Sequence, residues 1–192
     1  VNVYSAIQRR RTIRRFKETP IAEGVLIKLV DTARLAPSAG NIQPLEYIIV
    51  CSKEKCRAVF PLLKWARNIK PDDAPPEGNR PTAYIIVLIN REISPKGGGH
   101  ETGAAVQNIM LAALEDDIGS CWMRSVEKSE LKILFNVPEY CDIDSVIALG
   151  KPGESPMTEP ARDDETEYWR DDRGLMHVPK RKLGQILHRE KY

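Results

Sequence analysis

No apolar run in this sequence approaches the about 20 residues that a membrane-spanning helix needs. The polar start does not read as a secretory signal peptide. Cys51, Cys56, Cys121 and Cys141 show neither CxxC spacing nor the density of a disulfide scaffold, so they read as reduced thiols of a cytoplasmic protein. His100, His177 and His188 are too scattered for a metal site. There is no Gly-rich dinucleotide fingerprint, and no Lys-Ser or Lys-Thr follows Gly97-Gly98-Gly99, which excludes a phosphate-binding loop of that type. A formal net charge of only +2 gives no case for nucleic acid or a membrane surface as partner. No internal repeat and no domain boundary divides the chain, and residues 1–192 read as one domain.

What the sequence does have is the composition of a soluble globular protein, 42% hydrophobic and 29% charged. Its charge is uneven. Arg9, Arg10, Arg11, Arg14 and Arg15 crowd one end, and Lys180, Arg181 and Lys182 recur near the other. The pattern predicts a first helix over 2–11 with Tyr4, Ala6 and Ile7 on its apolar side, so Arg10, Arg11, Thr12 and Arg14 fall where that helix ends and the chain turns. Such a run is commonly a solvated face. Guanidinium forks beside a hydroxyl also suit a phosphate.

Thr19-Pro20 opens a second helix, in which Leu26, Leu29, Val30 and Ala33 follow the i, i+3, i+4, i+7 stripe of a core-facing surface. Pro37 stops it. Tyr47-Ile48-Ile49-Val50 reads as a strand, and Ser52 as the N-cap of a helix from Lys53 that Pro61 kinks or divides. Residues 70–81, rich in Pro, Asp and Gly, form a surface loop that is either a lid or a long connection. Residues 83–89 (AYIIVLI) read as a strand buried on both faces. A nearly all-apolar helix over 102–116 belongs in a core or a subunit interface. A strand over 119–123, a helix over 127–135 and a strand over 145–149 follow. After Pro152 the composition turns polar, and the tail over 153–192 has too little apolar content to fold alone. It is expected to wrap over a body, its own or a partner's.

Between the second helix and the first strand lies Ala36-Pro37-Ser38-Ala39-Gly40-Asn41-Ile42-Gln43-Pro44. Small residues let backbone approach a ligand closely, and Ser38, Asn41 and Gln43 supply short hydrogen-bonding groups. The same residues are those of an ordinary helix-to-strand loop.

Taken in order, five short motifs resemble the nitroreductase family of FMN-dependent oxidoreductases. They are Arg10-Arg11-Thr12-Ile13-Arg14-Arg15-Phe16; the loop from Ala36 to Pro44; Gly103-Ala104-Ala105-Val106-Gln107-Asn108; Gly119-Ser120-Cys121-Trp122-Met123; and Ala148-Leu149-Gly150-Lys151-Pro152 with the later Pro179-Lys180-Arg181-Lys182-Leu183. The resemblance implies an α+β fold with a mainly antiparallel central sheet flanked by helices. It implies an intertwined homodimer whose C-terminal tails are exchanged, with two FMN sites at the interface. It also implies NADH or NADPH as donor and ping-pong passage of a hydride through flavin N5 to a small-molecule electron acceptor such as a nitroaromatic or quinone.

Carried over by position, the resemblance assigns Arg10, Arg11 and Thr12 to the FMN phosphate, joined by Lys180 and Lys182. It sets Arg14 beside flavin N1, where a fixed cation stabilises the charge of the reduced ring. It gives Pro37, Ser38, Ala39, Asn41 and Gln43 to the flavin of the other subunit, and runs the strand holding Cys121, Trp122 and Met123 past N5. The flavin carries the chemistry, so no catalytic side chain and no metal is expected. Two further readings stay open: a reductive dehalogenase or flavin-cleaving member of the same fold, and a non-catalytic polyanion-binding module.

Overall fold

A computed structural model describes residues 2–66, 69, 74–163 and 165–192. Its centre is β3 (Ala83–Asn90), every residue of which is buried. An unbroken apolar run has no side to give to water, so it must lie inside a sheet with cover above and below. On one edge β3 pairs antiparallel with β2 (Leu45–Val50), from Leu45 opposite Ile89 to Val50 opposite Tyr84. On the other it pairs antiparallel with β5 (Cys141–Pro152), with a shift of register between Val87 and Leu88. The far edge of β5 takes β4 (Gly119–Met123), Gly119 opposite Gly150, and its end takes the two-residue β1 (Phe16–Lys17).

The two-residue period of β3 decides which helices go where. Ile85 and Val87 point to a layer made by α2 (Glu23–Arg34) and α4 (Gly99–Glu115), packing among Leu26, Leu29, Ala105, Val106 and Ile109. Tyr84, Ile86 and Leu88 point the other way, to α3 (Lys53–Val59) and α5 (Lys128–Leu134) through Cys56, Val59 and Leu131. The result is the expected α+β arrangement, an antiparallel sheet between helical layers.

Local signals set most of the ends. Ser52 caps α3 by accepting the Lys55 N–H at 3.3 Å, and Pro61 turns its end into a short 3-10 turn over Phe60–Leu62. α2 begins at Glu23, three residues after the proline expected to open it, with no side-chain cap. In the first helix, α1 (Val3–Arg9), Ala6 is buried, but Tyr4 and Ile7 face outward, because this seven-residue helix packs against the body mainly along α4. Of the 70–81 loop, residues 70–73 lie outside the described residues; Asn79 ties the rest to the body by accepting the Phe16 N–H at 2.9 Å.

The tail differs from its polar composition. β6 (Met157–Pro160) pairs parallel with β8 (Met176–Lys180), and β7 (Trp169–Arg170) antiparallel with it, making a second, three-stranded sheet. Side-chain pairing replaces apolar content here. His177 lies between Glu159 and Asp171 and stacks on Trp169 at 4.0 Å, over a buried Met176. Beyond Lys180 a 3-10 turn over Leu183–Gln185 leaves Leu183, Ile186 and Leu187 exposed.

Candidate active site

The basic cluster begins where α1 stops. The last carbonyls of a helix lack intrahelical partners. Arg11 supplies them: its guanidinium folds back, Nη2 donating to the Gln8 carbonyl at 2.6 Å and Nη1 to that of Arg10. The chain then runs along the open edge of β4, with Thr12 bridging Ser120 and the Ile13 N–H donating to the Ser120 carbonyl at 2.9 Å. Gly119 permits this approach, since a Cβ there would lie 2.8 Å from the Ile13 side chain.

Arg10, Arg11, Gly119 and Ser120 thereby line one groove of about 460 Å³, walled by Met110 and Leu114 of α4 and by residues 154–158. Among the described residues no carboxylate lies within ion-pair distance of Arg10 or Arg11. Burial, and then the neighbouring Arg11, pull the Arg10 guanidinium below its ordinary pKa; burial does the same to Arg11. Asp117 and Glu154 line the same groove but make no ion pair with either arginine. Two half-buried cations side by side with no paired carboxylate among the described residues are costly, and an anion seated directly on them relieves that cost. The donor set fits the phosphate of FMN, a dianion that takes guanidinium forks well.

The groove does not gather every residue that the sequence assigned to the cofactor. Thr12 and Arg14 are outside its lining. The Arg14 N–H donates to Glu154 Oε1 at 2.5 Å, and the guanidinium lies over the Tyr168 ring, 4.4 Å from its centre. Further along β4, Cys121 and Met123 turn their side chains into the core and leave only backbone to offer a ligand, while Trp122 faces outward. Burial pushes the Cys121 thiol up to about 11, so it is protonated at neutral pH and no nucleophile.

The Ser38 loop forms elsewhere in the chain. Ser38 Oγ accepts the Gln43 N–H at 3.0 Å, and Gln43 Nε2 donates to the Asn41 carbonyl at 3.3 Å. Gly40, Asn41 and Gln43 all have positive φ (58°, 55° and 48°), a conformation natural to glycine and tolerated by asparagine but uncommon for glutamine. Three left-handed residues within four positions make a tight loop with Ala39, Asn41 and Gln43 at the surface. Pro37, Ser38 and Gln43 line a separate depression of about 130 Å³. Glu101, in the first turn of α4, ties the loop down by accepting the Ala39 N–H at 3.3 Å. Its own backbone N–H, and then that of Ala39, hold its carboxyl below the ordinary range. Lys180 and Lys182 stand exposed at the end of β8, outside the arginine groove, although β8 pairs with the β6 strand whose Met157 and Thr158 form part of its wall.

The structure adds residues that sequence reasoning missed: Glu101, Glu154 and Tyr168. Each acts across a long stretch of chain, and no local spacing marks it.

Residues 7–151 match the Nitroreductase family, and the chain belongs to it. Over 193 residues it is 29% identical to a protein of Archaeoglobus fulgidus provisionally named an NADH dehydrogenase/NAD(P)H nitroreductase, covering 97% of this chain and 96% of that one. Among solved structures it is similar to a provisionally named nitroreductase from Desulfovibrio desulfuricans in complex with FMN (TM-score 0.71, 21% identity, 100% and 98% covered). It is also similar to the NADPH:FMN oxidoreductase of Vibrio harveyi complexed with NAD+ (TM-score 0.68, 18% identity, 98% and 77% covered). At those identities the two structures speak for the fold.

Proposed function

We propose that this chain holds FMN with its phosphate against Arg10 and Arg11 and uses it to reduce a small electrophile, a nitroaromatic or a quinone, at the expense of NADH or NADPH. It is an FMN-dependent NAD(P)H oxidoreductase of the nitroreductase family. When bound, the cofactor supplies two-electron transfer between donor and acceptor. The observation that carries the reading is the pair of half-buried arginines, without a carboxylate partner among the described residues, on one groove with the β4 backbone at Gly119 and Ser120.

The same proposal makes the active unit a homodimer. The Ser38–Gln43 loop and the arginine groove are separate within one chain, and the family resemblance gives them to opposite halves of one site. Exposed Tyr4 and Ile7 on α1, and Leu183, Ile186 and Leu187 beyond β8, are apolar surface suited to burial against a second copy, with the end of the tail crossing over. On this reading Lys180 and Lys182 reach a phosphate, and Thr12 adds its hydroxyl. Cys121, Trp122 and Met123 offer backbone to the ring, and Arg14 a cation. Among the described residues no helix is long and apolar enough to cross a membrane. Four free thiols suit a reducing compartment, and we place the protein in the cytoplasm.

The test is to purify the protein, record its visible spectrum and identify the released flavin. NADH and NADPH are then compared against nitroaromatic and quinone acceptors in steady state. Colourless protein that refuses FMN but binds polyanions would overturn the proposal.

A further inference from the structure

We infer that Glu154 is a positioning residue for Arg14, holding both the backbone that carries the guanidinium and the ring on which the guanidinium rests. One carboxylate oxygen accepts two consecutive peptide N–H groups, from Arg14 at 2.5 Å and Arg15 at 3.1 Å. The other meets Arg170 Nη1 at 3.0 Å. Arg170 Nη1 donates its hydrogen bond to the Gly174 carbonyl at 2.5 Å, so it meets this second oxygen as an ion pair. The Glu154 side chain is 9% exposed and that of Arg170 17%, so the two amide hydrogen bonds to the carboxylate are made largely out of water, where charge-assisted bonds are strong and fix geometry.

The surrounding chain is built for this approach. Phe16 pairs with Pro152, and the Gly153 N–H donates to the Arg15 carbonyl at 2.8 Å. A Cβ at Gly153 would come within 3.0 Å of that carbonyl oxygen, so glycine is what lets Glu154 arrive beneath the Arg14 peptide. Arg170 lies two positions after Tyr168, whose ring carries the Arg14 guanidinium at 4.4 Å. One buried carboxylate thus touches the segment at the root of Arg14 and the tail segment at its tip. A carboxylate serving only to neutralise Arg170 would not need to accept two amides from a segment 139 and 140 residues away.

The consequence rests on the proposed role of Arg14 toward the flavin: Glu154 sets how firmly that cation stands where the reduced ring needs it. The substitution pair Glu154→Met with Arg170→Met removes one charge of each sign, so direct electrostatic effects largely cancel. In the FMN-loaded protein, hydrogen exchange at the Arg14 and Arg15 amides should speed up by about tenfold or more. The flavin midpoint potential should fall in an Arg14 background and stay unmoved when the pair is added to Arg14→Met. Glu154→Gln alone keeps an oxygen acceptor for both amides and should largely retain their protection. Tyr168→Leu, which spares Glu154, should lower the potential with the amide protection intact, and it serves if the double variant does not fold. Unchanged exchange in the double variant would overturn the inference, as would a potential shift of equal size with and without Arg14. If Arg14→Met alone leaves the potential in place, the reading of Arg14 fails, and the exchange measurement still decides the role of Glu154.

Discussion

His177 and Glu159, eighteen positions apart, meet at 3.1 Å across the two parallel strands of the tail sheet, with Asp171 3.6 Å from the other ring nitrogen. The hydrogen bond from His177 holds the Glu159 carboxyl below its ordinary pKa, and the Leu175 N–H, with a smaller part from His177, does so for Asp171. A carboxyl whose folded pKa is depressed contributes stability above its unfolded pKa and loses it as pH falls through the folded value. The tail sheet should therefore be firm at neutral pH and loosen below about pH 4, where unfolded Asp and Glu titrate. Trp169, stacked on His177, reports it: its fluorescence should change in acid before the far-ultraviolet signal of the helices is lost. A Trp169 transition coincident with global unfolding would count against a separately loosening tail.

Arg10→Ala should weaken FMN binding by roughly 1.5–3 kcal/mol, the worth of a charge-assisted hydrogen bond. Riboflavin, which has no phosphate, should be far less sensitive. Titration of the unloaded protein with both flavins measures the difference. Equal weakening would assign Arg10 to the fold.

The shared-site reading predicts complementation. A variant damaged at Arg10 and one damaged at Asn41, refolded together, should yield heterodimers with one intact site and one carrying both lesions, recovering part of the FMN binding that each variant lacks. Dissociation on dilution should release flavin in the same step. A monomer that keeps its FMN would end this model.

Gly98→Ala should destabilise the fold by about 2 kcal/mol or more, since Gly98 combines a left-handed backbone with a close neighbour. Its φ is 107°, and a Cβ would stand 2.7 Å from the Ile89 side chain at the start of α4. Gly99→Ala, where a Cβ meets nothing within 4 Å, is the control and should change stability little. Chemical denaturation of the two variants compares them directly.

Periodicity alone determined the body of this protein. The all-apolar run of β3, the stripe of α2, the Ser52 cap and the strand over 119–123 were legible because each is written within a dozen neighbouring residues, where side-chain direction repeats with the local geometry. The family was legible for a related reason: its motifs are short, local and ordered along the chain. The tail sheet was not. Its strands are brief and polar, and what holds them is His177 finding Glu159 and Asp171 across chain turns that composition does not encode. Nor could sequence separate the arginine groove from the Ser38 depression, or find Glu101 and Glu154 as the groups that tie each down. A carboxylate looks the same in sequence whether it is solvated or buried under two peptide N–H groups. Only the packing that brings residue 154 beneath residue 14 decides which.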